Sequence, residues 1–103
     1  MLYNSCVHII TQKRLQEYIR KHPDAENSIL NWRRIIKDDQ FCPKNISALR
    51  DVFPSADSVG KYVVFNVGGN NYRLITSVHF NRGKVYIREF LTHSEYDKDR
   101  WKK

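Results

Sequence analysis

Between Lys61 and Leu91 the chain carries three runs rich in β-branched and aromatic residues: KYVVFNV, YRLITSVHF and KVYIREFL. Only two short breaks, GGNN and NRG, separate them. Breaks this short leave no room for a crossover helix, so each strand must turn back on the one before it. Gly and Asn accept the positive φ that tight hairpins require. The stretch therefore predicts an antiparallel three-strand meander. In such a meander the start of the second strand lies beside the end of the third. Arg73 is thereby brought within reach of the residues that follow Leu91.

Along the second strand Arg73, Ile75, Ser77 and His79 share one face, and Leu74, Thr76, Val78 and Phe80 share the other. The second set is the more apolar, so Arg73 is expected on the solvent side. Along the third strand Tyr86, Arg88 and Phe90 alternate with Val85, Ile87, Glu89 and Leu91. The simplest three-residue turn sets Phe80 opposite Lys84, which places Arg88 on the face of Thr76 and buries it. A single bulge at Gly83 reverses that relation. The pattern leaves both registers open.

The first half has a different period. VHIIT reads as a brief strand, after which Thr11 can cap a helix. In QKRLQEYIRKH the apolar residues Leu15, Tyr18 and Ile19 fall on one helical face, and Pro23 stops the helix at His22. Asp24 is a candidate cap for a second helix, whose stripe is Ala25, Ile29, Trp32 and Ile36, widened by Ile35. DDQFCPKN reads as a connector, and SADSVG as a loop. NISALRDVFP reads as one or two helical turns, with Asn45 as cap and Pro54 as stop. Thr92 or Ser94 can start a short C-terminal helix. The expectation is an α+β fold in a single domain over residues 1–103: a short N-terminal strand and a two-helix hairpin on a small antiparallel sheet, one face covered and the other open.

Several classes are excluded at this level. No apolar run approaches the roughly 20 residues that span a bilayer, so no membrane association is expected. The N-terminus MLYNSCVHIITQKR has neither a basic start nor a cleavage site, so no signal peptide is read and the cytoplasm is the expected compartment. The two cysteines, Cys6 and Cys42, are too few for a secreted scaffold of this size and are expected as reduced, packed thiols. CxxC, HxxxH and HExxH are absent, and neither a metal nor a cofactor is expected.

Charge decides more. Of a net +7, residues 61–103 carry +5, from nine Lys/Arg against four Asp/Glu, together with eight of the thirteen aromatics. A basic surface interleaved with aromatics suits a polyanion, nucleic acid above all. Cutting RNA without a metal needs a base for the 2′-hydroxyl, an acid for the departing 5′-oxygen and cations for the phosphorane. His suits the proton work and Arg the phosphate. His93, Glu95, Tyr96, Asp97 and Lys98 stand just past the third strand, with Arg73 beside them. The bland alternatives are a surface His93, a Tyr96 packed back on the sheet, and Glu95 and Asp97 as helix-start charges.

KHPDAE…NW, YVVFNVGGNNYRLI and VYIREFLTHSEYDK resemble the HigB-type toxins of bacterial type II toxin–antitoxin systems, within the RelE-like superfamily. The resemblance runs from about His8 to Lys98. It implies an mRNA endonuclease, acting on free or ribosome-bound message, that halts translation. It also implies a HigA-like helix-turn-helix antitoxin as partner, and operator DNA as a target only of the toxin–antitoxin complex. By the resemblance the catalytic residues are Arg73 as the phosphate ligand, His93 as the proton-transferring group, Tyr96 as stacker or partner acid, and Glu95. Lys61, Asn71, Arg88, Thr92 and Lys98 are the expected RNA-binding residues. In place of the late catalytic Arg of better-known RelE members this sequence has His93. Two further readings compete: a non-catalytic RNA- or ribosome-binding domain, and an interaction module for an acidic protein.

Overall fold

The computed structural model describes residues 6–69, 71–98 and 101. The meander is present as β3 (Tyr62–Val67), β4 (Tyr72–His79) and β5 (Lys84–Thr92), antiparallel neighbours in sequence order. Two short strands extend it. β1 (His8–Ile10) pairs with β5 in parallel, and β2 (Asp57–Val59) pairs with β3 antiparallel, giving the order β1-β5-β4-β3-β2. β2 lies within SADSVG, read above as a loop. It has no buried residue, so no apolar alternation marks it, and backbone pairing alone makes it an edge strand.

Two expected caps are replaced by other uses of the same residues. Helix α1 (Lys13–Lys21) has no side-chain cap. Thr11 takes the left-handed conformation, at φ 66, and its hydroxyl turns back to the carbonyls of Ile10 and Ile87. Pro23–Ala25 forms a single 3-10 turn before α2 (Glu26–Lys37). There Asp24, rather than capping, accepts the Tyr72 hydroxyl at 2.8 and 2.9 Å. That bond, ahead of burial, raises the Tyr72 pKa, because the donated proton is held against a carboxylate. Asn45 does cap α3 (Ile46–Val52), its Oδ1 taking the Ala48 N–H at 2.8 Å.

The α2 stripe of Ala25, Ile29, Trp32 and Ile36 is fully buried against Leu15, Leu49, Phe65, Leu74 and Ile87. A stacked aromatic series ties α1 to the sheet beneath the end of β5. Tyr18 lies on Phe90 at 5.2 Å, Phe90 on Tyr72 at 4.9 Å, and His22 tilts against both Tyr72 and Phe90. Cys6 and Cys42 are not the expected free thiols: they are joined, across a Cα–Cα distance of 5.2 Å and 36 residues of chain. Pairing between positions so distant in sequence has no local signature.

The register of β4 on β5 changes partway along. From His79↔Lys84 to Thr76↔Ile87 the hairpin closes on residues 80–83, longer than the expected turn. Beyond a bulge, Ile75 meets Glu89 and Arg73 meets Leu91. The extra residue is Arg88, not Gly83. Ser77 opposes Tyr86, so Tyr86 and Arg88 share the face of Ser77, and Arg88 is exposed instead of buried. The bulge returns Phe90 to the core.

Gly83 has φ 63, and a Cβ there would run into the Cys6 carbonyl, next to the bond from His8 N–H to Gly83 O at 2.7 Å. Gly69, at φ 67, has open space around it. Gly69→Ala should therefore cost only the left-handed strain of about 1–2 kcal/mol. Gly83→Ala should cost more, because β1 must shift as well. Thermal melting of the two variants measures the difference. Equal losses would mean that β1 moves freely.

Candidate functional site

On the sheet face away from the helices, Val64 and Ile75 are 2 % and 1 % exposed, though they lie outside the main core. Something covers them from that side, and so this face is not the open surface expected from the sequence. Helix α4 (His93–Asp97) folds back over β4 and β5. Beyond it Trp101 stacks on Tyr96 at 5.1 Å, meets Tyr62 edge-on at 5.7 Å, and donates its indole N–H to Tyr96 O at 3.1 Å. Each end of this aromatic row meets a cation. The Arg73 guanidinium lies 5.5 Å from the Tyr96 ring centre, and the Lys61 ammonium 5.5 Å from that of Tyr62.

Arg73 does project to this face, but under Tyr96 it is only 9 % exposed, against the expectation of a solvent position. Its Nη1 donates to the Tyr72 carbonyl at 3.2 Å. His93 opens α4, and its backbone N–H donates to Asn71 O at 3.0 Å, which continues the β4–β5 pairing one step past the strands. Its Nδ1 lies 3.1 Å from Asp97 Oδ2, one helical turn on. A carboxylate at Nδ1 holds the proton there and leaves Nε2 as the acceptor. The His93 side chain is 47 % exposed.

Thr92 and Glu95 form a capping box. The Thr92 hydroxyl accepts the Glu95 N–H at 3.2 Å, and Glu95 Oε1 accepts the Thr92 N–H at 2.9 Å. The Thr92 backbone bond is the main reason that the Glu95 carboxyl is held below its ordinary 4.5. Its contribution to α4 is full above that value and is lost as pH falls through the lower folded value. Thr92→Ala should cost about 1 kcal/mol. In hydrogen exchange, α4 amides should lose protection on acidification in the parent and be weakly protected at every pH in the variant. Equal protection in both proteins would remove the capping box from the account.

Lys61 and Arg88 meet at the other end of the face. They line a cavity of about 320 Å³ with Tyr62, Ser77, Val78 and His79. Arg88 Nε donates to Ser77 Oγ at 3.1 Å, and its guanidinium lies 5.6 Å from the Tyr86 ring centre. Ser77 and Arg73 are four residues apart on one strand, about 13 Å. The structure thus brings Arg73, Tyr96 and the His93 helix together, and separately Lys61 with Arg88. Asn71 stays at the His93 end, away from Lys61. Lys98 is exposed beside Glu89, Leu91, Glu95 and Trp101. Sequence reasoning passed over Trp101, Tyr62 and Ser77. An isolated Trp in the basic tail DRWKK is the signal for Trp101, and the place of Ser77 on the face of Arg73 is the signal for Ser77.

An α-hairpin laid on one face of a small, mainly antiparallel sheet, with a helix closing the last strand over the other face, is RelE-like architecture. Residues 25–99 match the family model described as HigB_toxin, RelE-like toxic component of a toxin–antitoxin system, and the chain belongs to this family. It is similar to the mRNA interferase toxin HigB of Escherichia coli (strain K12), at 40% identity over 94 residues and 88% of each chain. The mRNA interferase HigB of Shigella flexneri matches to the same extent. That of Escherichia coli O6:H1 is 32% identical over 95 residues, 89% of this chain and 90% of that protein. Among the described residues no helix is long and apolar enough to cross a membrane.

Proposed function

We propose that this chain is the toxin of a type II toxin–antitoxin pair and cuts mRNA by metal-independent transesterification. The ribose 2′-oxygen bonds to phosphorus while the P–O5′ bond breaks, leaving a 2′,3′-cyclic phosphate and a 5′-hydroxyl. His93 Nε2 takes the 2′ proton, with Asp97 holding the imidazole from behind. Arg73 neutralises the phosphorane. Tyr96 supplies a stacking surface for a neighbouring base and, at its phenol, the proton for the leaving oxygen. Lys61 and Arg88 hold a phosphate further along the strand, and Asn71, Thr92 and Lys98 border the path. The observation that carries this reading is the Asp97–His93 pair on a helix whose Tyr96 lies over Arg73. Because Arg73 is so covered, RNA entry exchanges the Tyr96–Arg73 contact for a Tyr96–base stack and frees the guanidinium for phosphate.

The partners that fit this reading are a HigA-like helix-turn-helix antitoxin and mRNA, free or on the ribosome. Operator DNA is bound only through the toxin–antitoxin complex. The reaction belongs in the cytoplasm. Cys6 and Cys42 lie by Gly83, at the hairpin end of the sheet, so the site does not depend on the bond between them.

Purified protein is incubated with naked RNA and with programmed ribosomes, each with and without a chelator. Cyclic-phosphate ends that the chelator does not suppress are expected. RNA left intact in every arm would contradict the proposal. The burial of Arg73 favours one rival, a non-catalytic RNA- or ribosome-binding domain. In that case RNA binds but keeps its length.

A further inference from the structure

The bulge at Arg88 is held from both sides. Arg14 Nη1, on α1, donates to the Arg88 carbonyl at 2.8 Å, and Thr11 Oγ1 lies 3.5 Å from the carbonyl of Ile87. On the sheet face the Arg88 side chain is fastened to Ser77. Consecutive carbonyls of a regular strand point to opposite edges. Here two in succession are engaged by the N-terminal segment, at the place where pairing with β1 has ended at Tyr86. Extending the hairpin-end register without the extra residue would set Phe90 opposite Arg73 and turn Glu89 toward the core. The bulge instead sets Leu91 opposite Arg73 and Thr92 opposite Tyr72, and so decides where α4 begins.

We infer that Arg14 is a positioning residue: by clamping the bulge at Arg88 it sets the register in which Arg73 meets the His93 helix. The inference rests on the proposed reading of Arg73 and His93. Arg14 lies on the α1 side of β5, in a cleft of about 520 Å³ with Thr11, Lys13, Glu17, Tyr18, Arg88 and Glu89. Its effect on cleavage is therefore one of geometry. Misplacement of catalytic groups by about 1 Å can cost 10²-fold.

The test compares Arg14→Ala with Arg14→Lys, which can still donate one bond to a carbonyl. In Arg14→Ala, kcat should fall about ten- to a hundredfold, with KM changed less than about twofold. Arg14→Lys should recover most of kcat, and both variants should melt close to the parent. An unchanged kcat in Arg14→Ala overturns the inference. So does a raised KM with a shallower salt dependence, which would make Arg14 a direct RNA contact. Amide hydrogen exchange supplies a readout without RNA. Residues 87–92 should exchange faster in Arg14→Ala than in Arg14→Lys, and equal rates overturn the inference. If the parent cuts no RNA, the catalytic reading fails while exchange still decides the clamp.

Discussion

Arg73→Ala is expected to lower single-turnover RNA cleavage by at least about 10²-fold while the protein stays folded. Losing one preorganised charge donor at a developing oxyanion typically costs about 10²–10³ in kcat. The site adds a reason to expect the upper part of that range: the same group supports the Tyr96 ring, so truncation also loosens the stack with Trp101. Arg73→Lys keeps the charge but loses the planar fork, and should recover only part of the rate. Loss of packed stem should cost stability about 1–2 kcal/mol, within the usual range for single substitutions. Cleavage kinetics beside a thermal melt separate the two effects. Parent-like cleavage by Arg73→Ala would make Arg73 a support for Tyr96 and nothing more.

His93→Gln should reduce the chemical step by about 10²–10⁴-fold, the usual worth of a positioned acid–base group. RNA affinity should hold within about twofold, because the exposed imidazole adds little to a surface carrying net +7. Gln can preserve a hydrogen bond to Asp97 and cannot move the proton, which keeps the test on chemistry. Single-turnover rates at saturating protein, with a parallel binding titration, give both quantities. A weakened affinity with an unchanged rate would assign His93 to RNA binding. A large loss in both would mean that α4 itself had been disturbed, and the hydrogen-exchange pattern of α4 reports that directly.

The parts legible in the sequence were those governed by short-range periodicity. Two glycine-bearing breaks force the meander, and the meander carries Arg73 to the end of β5. The stripe Ala25, Ile29, Trp32, Ile36 marked the buried face of α2, Asn45 announced its cap, and of the two candidate starts for the last helix, Thr92 and Ser94, it is Thr92 that caps. Features decided by partners far along the chain were not legible. Asp24 and Thr11 have the chemistry of caps, yet Tyr72, 48 residues on, takes the first, and Ile87, 76 residues on, takes the second. Cys6 finds Cys42 across α1 and α2. The bulge at Arg88 depends on Arg14 and Ser77, neither adjacent in sequence, so strand alternation left both registers of the third strand open. The covering of the second face has the same origin. Trp101 reaches Tyr62 only because α4 reverses the chain over the sheet, and a solvent position for Arg73 was the casualty.

The central claim is that one guanidinium and one imidazole act on the same phosphodiester. Nitrogen-detected titration of the protein with an RNA oligonucleotide fully 2′-O-methylated against cleavage tests it most directly. The Arg73 Nε and His93 ring signals should shift together and saturate at the same RNA concentration. Shifts confined to Lys61, Arg88 and other surface cations, with His93 unmoved at saturation, would contradict it.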